Sequence, residues 1–129
     1  MNKNCSLVIT SIASAENKAL QKFAQGCHIN GIPFIVIGDS SSPDNFFIKN
    51  CDFWSLKRQN TLPFEIVKNL PVKNYARKNI GYLLAMSNGS EIIIESDDDN
   101  FPKSEFWLDR GRFGIQEIKT PGWINIYQY

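Results

Sequence analysis

The sequence predicts an α/β domain in which a mainly parallel sheet is flanked by helices. Residues 6–12, 33–38 and 91–96 form short apolar runs rich in β-branched side chains, as buried strands do. Between these runs, residues 14–28 and 72–88 carry apolar side chains at helical spacing. Strands that alternate with helices in this way form parallel sheets with right-handed crossovers.

The two predicted helices have recognisable ends. Ser14 is a candidate cap for the first helix, and Asn30-Gly31 is a typical stop. Asn88-Gly89 ends the second helix. The apolar faces are formed by Leu20, Phe23, Ala24 and Cys27 in the first helix and by Ala76, Ile80, Leu83 and Leu84 in the second.

The remaining segments predict smaller elements. Residues 51–56 resemble a short third strand, residues 63–70 resemble one or two helical turns, and residues 104–109 resemble a single helical turn. Residues 115–119 and 123–127 are predicted as two further strands. With 129 residues and no linker or repeat, the chain is expected to be one domain.

Charge and cysteine content narrow the function classes. Fourteen basic and thirteen acidic residues leave a net charge of +1, so nucleic acid is not an expected partner. Cys5, Cys27 and Cys51 lack metal-type spacing and are predicted to be buried thiols in a reducing compartment, which favours the cytoplasm. The polar residues that interrupt the first apolar run favour a strand over a signal peptide, and no segment predicts a transmembrane helix.

Asp97, Asp98 and Asp99, here called the aspartate run, directly follow the last buried strand. Ligands of open parallel sheets bind at the carboxyl ends of the strands. Adjacent carboxylates repel one another unless a cation lies among them, and Mg²⁺ or Mn²⁺ suits such oxygen ligands together with substrate phosphates. We therefore expect Asp97 and Asp99, which can point the same way from extended backbone, to bind the ion, with Asp98 turned elsewhere. The competing interpretation is a solvated acidic turn.

Lys73, Arg77 and Lys78 lie near the start of the second helix. A helix that precedes a parallel strand runs antiparallel to it, so its start lies beside the carboxyl end of that strand. Arg77 is expected either to clamp a phosphate with its planar guanidinium or to form a salt bridge with the aspartate run. Gly81 shares the face of Arg77 and indicates a close approach by another group. For both lysines, the competing interpretation is a solvated helix face.

Polar residues also end the first two predicted strands. Thr10, Ser11 and Ile12 end the first strand, and Asp39 ends the second. Because such edges contact base and ribose in α/β nucleotide sites, these four residues are predicted nucleoside contacts, although Asp39 is also an ordinary turn residue. Trp107 is the tryptophan whose position best suits stacking on a sugar.

Residues 75–99, YARKNIGYLLAMSNGSEIIIESDDD, combine the basic helix start, Gly81, the buried strand and the aspartate run. This segment resembles the R-K-x-x-G-Y-L-x-A and acidic motifs of STELLO-type proteins, and more loosely those of reversibly glycosylated polypeptides. The resemblance implies a GT-A-type, Rossmann-like nucleotide-binding half of a glycosyltransferase. It also implies that the aspartate run takes the D-x-D metal role, with Arg77, Lys78 and Gly81 beside the diphosphate.

A GT-A domain continues past the last predicted strand with its acceptor side. We therefore expect residues 1–129 to be a nucleotide-sugar-binding domain that lacks the acceptor half, and no catalytic base can be named. The expected ligands are a UDP-sugar and Mn²⁺ or Mg²⁺, and Asp98 is then expected to contact the ribose or the sugar. Homodimerisation through the truncated edge is a further expectation. Two alternatives stay open: a non-catalytic remnant that serves as a binding or interaction module, and a domain whose acidic turn is only structural.

Overall fold

The computed structural model describes residues 4–108 of the chain. Within this range, four parallel strands form one sheet in the order β3-β2-β1-β4. The strands are β1 (Cys5–Thr10), β2 (Phe34–Ile37), β3 (Asp52–Trp54) and β4 (Ile92–Glu95). The predicted α/β class is confirmed, while the strands predicted at residues 115–119 and 123–127 lie outside the described residues.

The connections create a switch in direction beside β1. Leu7 of β1 pairs with Phe34 of β2 on one side and with Ile94 of β4 on the other. The chain leaves β1 towards β2 and β3, and later crosses to the opposite side to form β4. The crevice at such a switch point, outside the carboxyl ends of the strands, is where open parallel sheets bind ligands.

Helix α1 (Lys18–Asn30) begins later than predicted. Its cap is Asn17, whose side chain accepts a hydrogen bond from the Leu20 N–H at 2.9 Å. The predicted cap, Ser14, lies in the preceding turn, so the predicted start is wrong. The predicted stop is confirmed, because Gly31 ends the helix with a φ of 65°.

Helix α3 (Lys78–Ser87) also begins later than predicted. A 3₁₀ turn, Tyr75–Arg77, precedes it and is capped by the side chain of Asn74, which accepts a hydrogen bond from the Ala76 N–H. Lys73 has a φ of 54°, so the backbone at residues 72–73 is not helical and the predicted start is wrong. This displacement matters because residues 73 and 74 form part of the ligand edge.

Three short elements complete the described chain. Helix α2 (Leu56–Gln59) was not expected from the sequence, because four residues are too few to show a helical apolar pattern. The 3₁₀ turns Glu65–Lys68 and Ser104–Trp107 confirm the predicted helical turns in the described part of the chain. No helix within residues 4–108 is long and apolar enough to cross a membrane.

The core consists of two layers, one on each face of the sheet. Helix α1 packs on the face that carries Leu7 and Ile9, and α3 packs on the face that carries Val8. The cysteines lie on the α1 side and form no disulfide within the described range. Burial raises the pKa of Cys27 and of Cys51 to about 12, so these thiols are unreactive near neutral pH.

Candidate functional site

A cavity of about 630 Å³ opens at the carboxyl edge of the sheet, beside the end of β1. It brings together most of the residues predicted to form the site: Thr10, Ser11, Ile12, Asp39, Arg77, Asp97, Asp98 and Asp99. Lys78 and Gly81 do not line it. The topology explains this convergence, because the segments that follow β1, β2 and β4 all leave the sheet at the same edge.

Asp98 joins the end of β1 to the aspartate run. Its carboxylate accepts a hydrogen bond from the Ser11 hydroxyl, and its backbone carbonyl accepts one from the Asn17 side chain at 3.0 Å. Ser11 is buried, so the contact crosses the switch point at the bottom of the crevice. Asp98 is thereby held in a defined position between β1 and β4.

Asp97 is held from the helix side. Its Oδ1 accepts hydrogen bonds from the Tyr75 hydroxyl at 2.7 Å and from Lys78 Nζ at 3.3 Å. The hydrogen bond from Tyr75, aided by Lys78, outweighs the opposing effect of burial and lowers the pKa of Asp97. Asp97 is therefore ionised at neutral pH, and one of its oxygens is already engaged by the protein.

Lys78 is buried rather than solvated, so the solvated-face interpretation is wrong for this lysine. Its side chain is only 2% exposed, and its Nζ lies near Asp97 and Glu95. Burial works to lower the pKa of Lys78, but the contacts with Tyr75, Glu95 and Asp97 outweigh it and raise the pKa. Because Lys78 lies behind Asp97 and does not line the cavity, the structure offers no support for it as a direct diphosphate contact.

Arg77 is buried in a hydrogen-bond network with Gln59. The Gln59 side-chain oxygen accepts from Arg77 Nε at 3.0 Å and from Nη2 at 2.5 Å, and the Leu70 carbonyl accepts from Nη1 at 3.0 Å. Gln59 in turn donates to the carbonyls of Gly38 and Trp54. The expected alternative, a salt bridge between Arg77 and the aspartate run, is wrong, because Lys78 makes that contact.

Asp39 ties two segments of the cavity wall together. Its carboxylate accepts hydrogen bonds from the backbone N–H groups of Ser40, Lys73 and Asn74 at 2.6, 2.9 and 3.3 Å. Partial burial opposes ionisation, but these three donors and the positive charge of Arg77 outweigh it and lower the pKa of Asp39. The same contacts hold Lys73 at its positive φ, a conformation that is costly for a residue with a side chain.

Two predicted contacts lie away from the cavity. A Cβ added to Gly81 would lie 2.4 Å from Val8 Cγ1 and 3.0 Å from Ile37 Cγ1, so the close approach is between α3 and the sheet. Trp107 packs against Phe23 with the ring centroids 6.4 Å apart and covers Gly26 of α1. Trp107 is therefore a packing residue, and the expected stacking on a sugar is wrong.

The aspartate run suits a divalent ion in its chemistry but does not enclose one by itself. Within residues 4–108, no three His, Cys, Asp or Glu side chains are grouped to hold a metal ion. One oxygen each of Asp97 and Asp98 is engaged, whereas Asp99 forms no hydrogen bond or ion pair in that range. The residues therefore fit Mg²⁺ or Mn²⁺ only where substrate oxygens or water complete the coordination, as these ions often require.

Two proteins of Arabidopsis thaliana are similar to this chain: Probable glycosyltransferase STELLO1, 32% identical over 90 residues, and Probable glycosyltransferase STELLO2, 33% identical over 90 residues. The similarity is to glycosyltransferases. Each match covers 70% of this chain but only 11% of the relative, so the chain spans about a tenth of the length of the curated relatives it matches. No protein-family model matches the chain.

Several residues of the site were not predicted from the sequence. Tyr75 and Asn74 lie in the resembling segment or directly before it, but no spacing rule assigns a lone tyrosine to a neighbouring carboxylate. Gln59 stands in a polar stretch without periodicity, and its contact with Arg77 joins residues 18 positions apart. Only a correct prediction of α2 would have placed Gln59 beside β2.

Proposed function

We propose that this chain contains the nucleotide-sugar-binding site of a metal-dependent glycosyltransferase of the GT-A type. The observation that carries the proposal is the convergence of the aspartate run with the ends of β1 and β2 in one cavity at the switch point of the sheet. A volume of about 630 Å³ lies within the usual range of small-ligand sites. The similarity to probable glycosyltransferases supports glycosyl transfer as the reaction class.

In this proposal, each carboxylate of the aspartate run has its own role. Asp97 and Asp99 hold Mn²⁺ or Mg²⁺, and Asp98, oriented by Ser11, faces the ribose or the sugar. When bound, the ion supplies positive charge that stabilises the diphosphate leaving group. Ser11 and the neighbouring end of β1 then form the wall of the cavity on the nucleoside side.

Arg77 favours an anionic ligand such as a diphosphate. The residue is 3% exposed and lines the cavity, yet it forms no salt bridge with any residue in the range 4–108. Three hydrogen bonds to neutral acceptors use part of its five N–H donors. The nearby carboxylate of Asp39 feels the charge of Arg77 but forms no salt bridge with it in this range, so a phosphate at the cavity wall would give Arg77 a directly bound anionic partner.

Asp39 acts mainly on the shape of the site in this account. Because its carboxylate binds three backbone N–H groups, it holds residues 73 and 74 against the end of β2. Contact between Asp39 and the nucleoside stays a prediction, as do the identity of the base, the homodimer and the compartment. The single domain over residues 1–129 also stays a prediction.

Isothermal titration calorimetry tests the proposal. UDP is titrated into the wild type, Asp99→Asn and Asp44→Asn, each with and without Mn²⁺. Asp44 is exposed, lies in a loop and does not line the cavity, so its variant matches the charge change of Asp99→Asn. The proposal expects Mn²⁺-dependent binding that Asp99→Asn weakens at least about tenfold and Asp44→Asn leaves unchanged.

The other outcomes separate the alternatives. If UDP-sugars bind but are neither hydrolysed nor used to transfer the sugar to any acceptor tried, the result supports a non-catalytic binding module. Absence of binding for all nucleoside diphosphates, with or without Mn²⁺, contradicts the proposal and leaves the aspartate run as a structural turn.

A further inference from the structure

Lys78 brings a buried positive charge to the aspartate run. Its Nζ lies 3.3 Å from Asp97 Oδ1 and 3.8 Å from Glu95 Oε1, and it donates hydrogen bonds to the Ser96 carbonyl and the Tyr75 hydroxyl. The side chain is 2% exposed, so these contacts replace its hydration. A buried ammonium with such partners keeps one position, because moving away would leave its charge unpaired.

The two oxygens of Asp97 have different surroundings. Oδ1 accepts hydrogen bonds from Tyr75 and Lys78, which stand three residues apart at the start of α3. Oδ2 has no hydrogen-bond partner within residues 4–108, and the side chain is 53% exposed. Asp97 is therefore held through one oxygen while the other remains accessible from the cavity.

Glu95 is the second carboxylate near the ammonium of Lys78, and it occupies a different position from Asp97. Its Oε2 accepts a hydrogen bond from the Tyr82 hydroxyl, while Oε1 lies on the side of Lys78. The hydroxyl of Tyr82 thus fixes the second acidic neighbour of Lys78. The ammonium stands between two fixed carboxylates, of which only Asp97 lines the cavity.

We propose that Lys78 is a resident counter-ion of the aspartate run, a positioning residue that neutralises and orients Asp97 when no divalent ion is bound. This inference rests on the proposed function and adds an order of binding to it. A divalent ion alone meets repulsion from Lys78 and binds weakly. The negative charge of a diphosphate offsets this repulsion, so the ion and the diphosphate bind together.

Mn²⁺ titrations followed by water-proton relaxation test the order of binding. They are run on the wild type, Lys78→Met, Lys78→Arg and Lys68→Met, each with and without UDP. Lys68 is exposed, does not line the cavity and serves as the matched charge control. Lys78→Met should bind Mn²⁺ alone about tenfold more tightly than the wild type, because the like charge is gone. Lys78→Arg and Lys68→Met should resemble the wild type, and UDP should increase Mn²⁺ affinity less in Lys78→Met.

A double-mutant cycle in metal-free buffer gives a readout that does not depend on the ion. Free energies of unfolding are measured for Lys78→Met, Asp97→Asn and the double variant, and for the same cycle with Asp99→Asn. The inference expects non-additive effects for Lys78 with Asp97 and additive effects for Lys78 with Asp99. Additive effects in both cycles overturn it.

The metal titrations distinguish this inference from the proposed function. Mn²⁺ and UDP binding by the wild type, with no tighter Mn²⁺ binding in Lys78→Met, overturns the inference and leaves the proposed function intact. Absence of Mn²⁺ binding in every variant, with and without UDP, overturns both.

Discussion

Replacing Arg77 with methionine should destabilise the chain more than replacing Arg58 with methionine, although of these two arginines only Arg58 forms a salt bridge within residues 4–108. Arg58 Nη1 lies 2.5 Å from Asp52 Oδ1, and the guanidinium stacks 3.7 Å from the Trp54 ring centroid. The Arg58 side chain is nevertheless 46% exposed, whereas Arg77 is 3% exposed. We therefore expect the larger loss of stability at the more buried arginine, and not at the one with a charged partner.

The magnitudes follow from the groups that each variant leaves behind. Arg77→Met leaves the Gln59 side-chain oxygen and the Leu70 carbonyl without their donors, at about 1–3 kcal/mol each. Together these two acceptors give an expected loss of about 2–6 kcal/mol in the free energy of unfolding. Arg58→Met loses an exposed ion pair and a stacking contact, together about 1 kcal/mol.

Urea unfolding followed by circular dichroism measures both values without depending on the tryptophan beside Arg58. The expected result is a lower midpoint for Arg77→Met than for Arg58→Met, at similar slopes. A loss below about 1 kcal/mol for Arg77→Met, or an equal loss for both variants, would refute the claim that the buried network holds α2 against the 3₁₀ turn before α3.

Three further variants test other parts of the structure. Gly81→Ala should cost about 1–3 kcal/mol in urea unfolding, because its Cβ would lie 2.4 Å from Val8 Cγ1; unchanged stability would contradict this packing. Gly26→Ala should displace the Trp107 ring, which lies 2.1 Å from the added Cβ, and a near-ultraviolet circular dichroism spectrum identical to that of the wild type would speak against it. Asp39→Asn should be less stable than the wild type at pH 7. The folded-state pKa of Asp39 is lowered, so its contribution is fully present above the ordinary carboxyl pKa of 3.8 and is lost as the pH falls through the folded-state pKa. A difference that persists at low pH would contradict this role.

The regular part of the fold was predictable because burial leaves a local trace in the sequence. β1, β2 and β4 are apolar on both faces, and the apolar residues of α1 recur at helical spacing. The helix starts were less predictable, because several polar residues near each start are suitable caps. Asn17 rather than Ser14 caps α1, and Asn74 caps the turn before α3.

The positions of the site residues were predictable from topology, whereas their partners were not. The rule for parallel sheets brings the aspartate run and Asp39 to one edge, as observed. It does not say whether a charged side chain faces the cavity or packs behind it. The orientation of each charged side chain depends on contacts between residues far apart in sequence, such as Arg77 with Gln59. The contact between Lys78 and Asp97 is another, and it holds Lys78 behind Asp97.

The central claim is that the aspartate run binds a divalent ion together with a diphosphate. Pulsed electron paramagnetic resonance of Mn²⁺ bound to the chain with UDP tests it directly, using protein labelled with ¹³C at the aspartate carboxyl carbons. The account predicts hyperfine couplings to ³¹P and to ¹³C, with the ¹³C coupling reduced in Asp97→Asn and Asp99→Asn but retained in Asp44→Asn. Coupling to ³¹P alone, as for Mn²⁺ and UDP free in solution, would contradict it.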